Sequence, residues 1–189
     1  MTAAILRADC ARCAALCCVA FAFERSADFA IDKPAEAPCP KLDACGRCRI
    51  YARRQDRGFG GCIQYDCLGA GQRVVQQTFG GEVWMDDPAL LKPMLRAFEV
   101  MRGVHELLAL LAAARDAGLA DGHIERIGRF EVRLDAIADA AAQTNTARAL
   151  RQTDQEIRAF LTRLRPYFGE NGRHASDTGQ NLHNEPSTA

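Results

Sequence analysis

The chain has 189 residues, with 24 Lys+Arg against 24 Asp+Glu and 48% hydrophobic residues, the size and make-up of one folded domain with room for a flanking tail. A formal net charge of zero excludes a whole-molecule attraction to nucleic acid or anionic lipid, so any such binding needs a local patch. All nine cysteines, Cys10, Cys13, Cys17, Cys18, Cys39, Cys45, Cys48, Cys62 and Cys67, precede residue 68, so one part of the chain uses sulfur for something the rest does not need.

The start of the chain has Arg7 and Arg12 ahead of an apolar run from Ala14 to Phe23. That run superficially resembles a signal peptide, but Asp9 interrupts the basic region and Glu24-Arg25 follows directly without a small-x-small cleavage site. It is also far shorter than the roughly 20 apolar residues that span a bilayer. The expected location is therefore cytoplasmic, with no membrane contact. In a reducing compartment a cysteine-dense segment reads as metal ligands rather than a disulfide framework.

Residues 1–80 form a cysteine-cluster region expected to be mostly irregular. Within it, Ser26 to Pro34 alternates apolar and polar residues ahead of a proline, which suits a short strand. The clusters Gly58-Phe-Gly-Gly61 and Gly69-Ala-Gly71 read as turns around the last two cysteines. The second lacks the spacing of a phosphate-binding loop.

From Asp87-Pro88 the pattern becomes helical. Leu91, Met94, Leu95, Phe98, Met101, Val104, His105 and Leu108 recur at three- and four-residue steps, with Pro88 suited to a first turn and Gly118 to a stop. A second helix is expected from about Gly122, with Ile124, Ile127, Phe130, Leu134, Ile137 and Ala141 as its stripe. A third, from about Thr146 to Phe168, carries Leu150, Ile157, Phe160, Leu161 and Leu164. Each stripe needs a partner surface. The fold class is thus mainly α: an irregular cysteine-rich metal-binding region packed on a C-terminal antiparallel three-helix bundle over 87–168. Residues 169–189, rich in Gly, Asn, Ser, Thr and His without period, read as a disordered tail.

The sharpest motif is Cys10-Ala-Arg-Cys13-Ala-Ala-Leu-Cys17-Cys18. On a helix, positions 10, 13 and 17 would lie within about 60° of one another, so three sulfurs could face one site. Cys18 would point about 100° away from Cys17, leaving it to serve a second metal, to bridge, or to pack as a small apolar residue. The spacing differs from the bacterial ferredoxin run, so an iron-sulfur cluster is allowed without being specified. Downstream, Cys45-Gly-Arg-Cys48 is a tight turn of the kind that presents two sulfurs to one ion, although its distance from Cys13 exceeds the usual zinc-ribbon gap. Nine thiols supply two four-cysteine sites with one left over. Adjacent and CxxC cysteines in a reducing cell are a redox liability unless ligated.

Charge fits ligation. Residues 1–80 carry 11 Lys+Arg against 8 Asp+Glu, and residues 81–189 carry 13 against 16, so a basic half and an acidic half can attract each other. Arg12, Lys41, Arg47, Arg49, Arg53, Arg54 and Arg57 flank the cysteines. Guanidinium groups lower thiol pKa and offset the charge of about −2 on a zinc ion held by four thiolates. The rival use of Arg49 to Arg57, a nucleic-acid patch, has only Tyr51 and Phe59 as interleaved aromatics and is disfavoured.

These residues resemble the YkgJ-like cysteine-cluster family, described as zinc- or iron-chelating domains. The matching elements are Cys10-x-x-Cys13-x-x-x-Cys17-Cys18, Cys39-Pro-Lys-Leu42, Cys48-Arg-Ile-Tyr51 with Arg53-Arg54 after it, and Cys62, roughly the first third of the chain. The resemblance implies that Cys10, Cys13, Cys17, Cys18, Cys39, Cys48 and Cys62 are metal-site residues. Cys67 joins them because it follows Cys62 closely, and Cys45, without a counterpart in the family pattern, is the odd thiol. The family has Pro after the Arg that follows its Cys-x-Ile-Tyr, where this chain has Gln55 after Arg54, and the step from Cys48 to Cys62 is longer than the family's. A related cluster occurs with flagellin lysine methylation proteins, where an iron-sulfur centre is implied. No methyl-donor motif accompanies it here.

Candidates for catalysis are few. No Ser-His-Asp order, phosphate loop or paired-carboxylate motif is present. His105 lies on an apolar helix face and reads as a satisfied core histidine, and Cys67 reads as a ligand ahead of a nucleophile. The sequence therefore points to a cytoplasmic thiolate protein binding zinc or an iron-sulfur cluster, its partners being a metal ion and a second protein rather than nucleic acid. The alternatives are an iron-sulfur enzyme or enzyme accessory in redox or modification chemistry, and a zinc-stabilised nucleic-acid or protein adaptor. The metal is expected to contribute to folding, because a small irregular segment buries too little apolar surface alone.

Overall fold

A computed structural model describes residues 6–167 of the chain. Its α-helices among these residues are α1 (Leu16–Ala20), α2 (Gly61–Gln64), α3 (Ala70–Arg73), α4 (Leu91–Arg115), α5 (Asp121–Asp139) and α6 (Thr146–Arg163). Single 3-10 turns form at Cys10–Arg12, Tyr51–Arg53 and Pro88–Leu90, and a π turn, Val74–Thr78, continues α3. The protein is mainly helical, as its periodicity requires. The tail from residue 169 on, read above as disordered, lies outside the described residues.

The three long helices follow from their apolar stripes. Asp87 caps the entry to α4 by accepting from the Ala89 amide at 2.9 Å, and Pro88 takes the first turn, where a missing N–H costs nothing. Gly118, at φ 69°, reverses the chain before α5 in the left-handed region that favours glycine. Met94, Phe98, Met101, Val104, Leu108 and Leu111 of α4 meet Ile127, Phe130, Leu134 and Ile137 of α5 and Ile157 and Phe160 of α6 in one core. All three helices pack pairwise, and the short connections 116–120 and 140–145 make successive helices antiparallel neighbours. A Cβ on Gly103 would lie 2.7 Å from Leu150 Cδ2, so glycine is what allows α4 and α6 to approach there. Arg133 of α5 forks onto the Glu156 carboxylate of α6 at 2.7 and 3.0 Å and donates to Thr153 Oγ1 at 2.8 Å. The third helix, α6, is interrupted by a turn at Leu164, and residues 165–167 are helical again up to the last described residue, in keeping with the expected end near residue 168.

The cysteine region is irregular and is continuous with the bundle core. Leu16 of α1, Ala70 of α3, and Val74 and Val75 of the π turn are buried in the same cluster as the α4 side chains. Apolar burial does most of the docking. Among the described residues one salt bridge, Arg73 to Asp135 at 3.1 Å, crosses between the basic and acidic halves, so the expected attraction acts through a single pair.

The strand expected over Ser26 to Pro34 does not form. A single antiparallel bridge pairs Phe23 with Lys33. Between them Ser26 Oγ accepts from the Asp28 amide at 3.2 Å and Asp32 Oδ1 from the Arg25 amide at 2.7 Å. Such short polar side chains offer the backbone turn partners that compete with a sheet ladder. Phe29 folds back to stack on Phe23 at 4.3 Å, with Phe59 edge-on to both. No helix among the described residues is long and apolar enough to cross a membrane.

Candidate metal centre

The opening cysteine motif does not lie on one helix. Cys10–Arg12 is a 3-10 turn, capped by the Asp9 side chain, which accepts from the Ala11 amide at 3.0 Å. Ala14 and Ala15 then take φ values of 49° and 55°, and α1 begins only at Leu16. Two successive left-handed residues break the helix that the three- and four-residue spacing suggested, so the face shared by Cys10, Cys13 and Cys17 is not a helical one. Each such residue costs an L-amino acid about 1–2 kcal/mol, and the bend is held from outside. Trp84 Nε1 donates to the Ala14 carbonyl at 2.7 Å.

Cys13 is buried against α3. A Cβ on Gly71 would lie 2.9 Å from Cys13 Cβ and 3.6 Å from its sulfur. The same helix is tied to Cys67, whose carbonyl accepts from the Ala70 amide at 2.9 Å. Leu68, at φ 51°, turns the chain between them. Its carbonyl lies 2.5 Å from Nδ1 of His105, a fully buried residue of α4. A carbonyl only accepts, so Nδ1 carries a proton. Burial holds the His105 pKa below its ordinary value and Nε2 has no hydrogen-bond partner. His105 is thus a core histidine, as expected, but only half satisfied, with one structural bond beside a cysteine through Nδ1 and none at Nε2.

The remaining thiols are joined by a chain of backbone bonds. The Cys39 amide donates to the Cys18 carbonyl at 3.1 Å, the Leu42 amide to the Cys39 carbonyl at 3.0 Å, and Leu42 bridges to Cys48. The Tyr51 amide donates to the Cys48 carbonyl at 3.2 Å. Arg54 closes the sequence by donating from Nε to the Tyr51 carbonyl at 2.9 Å and from Nη1 to the Cys62 carbonyl at 3.0 Å, with its guanidinium 3.9 Å over the Tyr51 ring. Cys45 stands apart and exposed on the turn that Asp43 Oδ1 closes, accepting from the Cys45 and Arg47 amides at 2.9 and 2.8 Å.

None of the nine cysteines is in a disulfide. The Cys17 and Cys18 sulfurs are 4.0 Å apart. The Cys10 thiol is pulled down to about 6, first by its hydrogen bond with Cys13 and then, against burial, by Tyr51 and the Arg54 charge. Cys18 is lowered by its hydrogen bond with Cys17, with help from Lys33 and Arg54. Cys13 and Cys17 are raised as the partners in those pairs and by burial. Burial raises Cys39 and pushes Cys62 up to about 11, with neighbouring thiols adding to both. Of the basic residues expected to flank the cysteines, Arg54 acts on Cys10, Cys18 and Cys62.

Lys33 acts in the same sense on Cys18 and Cys39, and sequence reasoning passed over it. Its Nζ donates to the carbonyls of Val19, Pro34 and Ala37 at 3.1, 2.9 and 2.7 Å, and the residue is 4% exposed. No sequence pattern marks it, because its burial depends on the Val19 carbonyl of α1, 14 residues away, as well as on Pro34 and Ala37 in its own loop.

Among the described residues, no three His, Cys, Asp or Glu side chains converge closely enough to hold a metal ion as they stand. Four sulfurs at the usual zinc–sulfur bond of about 2.3 Å sit about 3.8 Å apart at the corners of a tetrahedron. The Cys17–Cys18 pair is near that spacing, and the others would have to close by side-chain rotation. The donor set itself, thiols with embedded cations and almost no competing carboxylate, fits a soft or borderline metal.

A Bacillus subtilis (strain 168) protein named uncharacterized protein YybG is 41% identical over 115 residues, covering 61% of this chain and 41% of that relative. The chain therefore matches less than half the length of this relative. No family model matches the chain. No solved structure matches it.

Proposed function

We propose that this protein binds metal through cysteine thiolates, as zinc ions or an iron-sulfur cluster, using Cys10, Cys13, Cys17, Cys18, Cys39, Cys48, Cys62 and Cys67. The observation that carries this reading is geometric: Cys13 packs on Gly71 of the helix whose first amide bonds the Cys67 carbonyl, the Cys17 and Cys18 sulfurs lie 4.0 Å apart, and Cys18, Cys39, Cys48 and Cys62 lie along one run of contacts closed by Arg54, while Cys45 is exposed on a turn. Eight reduced thiols in the same short region as a buried ammonium, Lys33, and a half-buried guanidinium, Arg54, need a reason to be there. Bound metal deprotonates its thiols and supplies the folding energy that short irregular segments lack. The resemblance of the opening motif to YkgJ-like proteins supports the same chemistry, which suits a reducing compartment, where such thiols stay free of disulfides.

The bundle is then a support that reaches the thiol loops through His105 of α4, while Trp84 and Gly71, which lie before it in the chain, hold the opening motif. Visible absorption and elemental analysis of anaerobically purified full-length protein test the reading. A colourless protein with about two zinc ions per chain, from the four-thiolate arithmetic, makes the centre structural. A brown protein with equal iron and sulfide makes it an iron-sulfur centre suited to redox or modification chemistry. A chain with neither, whose fold is indifferent to chelators, contradicts the proposal.

A further inference from the structure

We propose that the cleft where the start of α5 meets the end of α6 binds a small organic phosphate, its phosphoryl group held by Arg126, Arg129 and Arg163 and its apolar body laid against Phe160 and Leu164. This site shares no residue with the thiolate reading above and does not depend on it.

The antiparallel packing of α5 and α6 brings the first turns of one beside the last turn of the other. His123, Arg126 and Arg129 recur at three-residue steps and so share one side of α5, and Arg163 is the last residue of α6. With Phe160 and Leu164 these four basic residues line a cleft of about 340 Å³, within the range of roughly 300–1,000 Å³ usual for small-molecule sites. No carboxylate lines it. Residues 81–189 carry 13 Lys+Arg against 16 Asp+Glu, so an all-basic cleft runs against the charge of its own half of the chain.

The three guanidinium groups are uncommitted. Among the described residues none of them forms a salt bridge. The Arg126 charge reaches Glu156, but Arg133 already forks onto both oxygens of that carboxylate at 2.7 and 3.0 Å. Arg126 is placed by aromatic rings rather than by an acid, its guanidinium 5.3 Å from the Phe160 ring centre and 5.8 Å from that of Phe130. Such contacts fix the planar group and leave its N–H donors free. The His123 ring packs edge-on to Tyr167 at 5.3 Å, with Nε2 3.4 Å from the tyrosine hydroxyl.

Like charges gathered in this way repel one another, and a cleft of one sign with apolar walls focuses its field on a ligand of the other. Guanidinium forks match the paired oxygens of a phosphoryl group. A bare anion would use the arginines alone. Phe160 and Leu164 give the cleft an apolar floor, which an organic ester covers and inorganic phosphate does not.

The test uses full-length protein and phenyl phosphate as the probe, with inorganic phosphate and phenol as its two halves, followed by calorimetry and by amide shifts in NMR spectra. Phenyl phosphate should bind saturably with one molecule per chain, more tightly than inorganic phosphate, and shift the amides of His123, Arg126 and Arg163, while phenol should not bind. Arg126→Gln, Arg129→Gln and Arg163→Gln should each weaken it about tenfold, the loss of roughly one charge-assisted hydrogen bond. Arg151→Gln, on α6 but outside the cleft, should leave it unchanged. All four positions are exposed, and unchanged helical ellipticity confirms that each variant is folded. Absence of saturable binding, or equal weakening by Arg151→Gln, overturns the site. Equal affinity for inorganic phosphate removes the organic body from the proposal. A short single-stranded oligonucleotide that binds more tightly than phenyl phosphate through the same three arginines makes the cleft a nucleic-acid surface and overturns the small-molecule assignment.

Discussion

Trp84 and Ala14, 70 residues apart, are joined by an indole N–H to carbonyl bond of 2.7 Å. It is made to the first of the two left-handed residues that separate Cys13 from Cys17. The single tryptophan of the chain thus pins the bend on which the opening cysteine motif depends. Trp84→Phe keeps most of the ring and removes the donor. A lost hydrogen bond of this kind costs about 1–2 kcal/mol, to be read as a lower urea midpoint, with faster alkylation of Cys13 and Cys17 than of Cys62. Uniform alkylation rates would dissociate Trp84 from the motif.

Gly71 gives a test whose sign is informative. Its φ is not left-handed and it lies within α3, so helix propensity alone predicts that Gly71→Ala stabilises by about 1 kcal/mol. The contact with Cys13 Cβ predicts the reverse, because that atom is anchored to the backbone and cannot swing away. Overpacking of this sort costs about 1–3 kcal/mol. Thermal unfolding should therefore show a lower midpoint. A higher one would mean that Cys13 and α3 are not in close contact.

His105 links the centre to pH. Its pKa is depressed by burial and by the Arg73 charge, against the Leu68 bond and Asp135. A histidine whose folded pKa lies below its unfolded value is protonated first in the unfolded chain, so stability is full above the unfolded value near 6.5 and falls as pH drops below it. His105→Asn, which can still donate to the Leu68 carbonyl, should flatten this fall and keep the Cys67 loop in place. His105→Leu should flatten it too but leave that carbonyl unpaired, with a loss of about 1–3 kcal/mol at neutral pH. Denaturant midpoints of the three proteins between pH 5 and 8 decide it. An undiminished slope in both variants would assign the pH dependence elsewhere.

The bundle was legible in the sequence because its signal is local and repeated. Stripes such as Ile127, Phe130, Leu134 and Ile137 need only a 3.6-residue period to declare a helix. The cysteine region resisted the same method. The Cys10 to Cys17 spacing fits a helix, yet tertiary bonds from Trp84 and close packing on Gly71 favour a bend that periodicity cannot express. The alternation from Ser26 to Pro34 mimics a strand, but local turns at Ser26 and Asp32 prevail. The candidate thiols themselves were readable from residue type and spacing. The groups that position and compensate them, Trp84, His105 and Lys33, act across 14 to 70 residues of sequence, and only the fold brings them together.

The central claim is that eight particular thiols hold metal and one does not. Its most direct test is the mass of the native full-length protein after anaerobic purification and brief alkylation. Bound metal with a single alkyl group, mapped to Cys45, is the predicted result, with eight further groups and loss of helical ellipticity after chelation. Nine alkyl groups on a metal-free chain that keeps its ellipticity would contradict it.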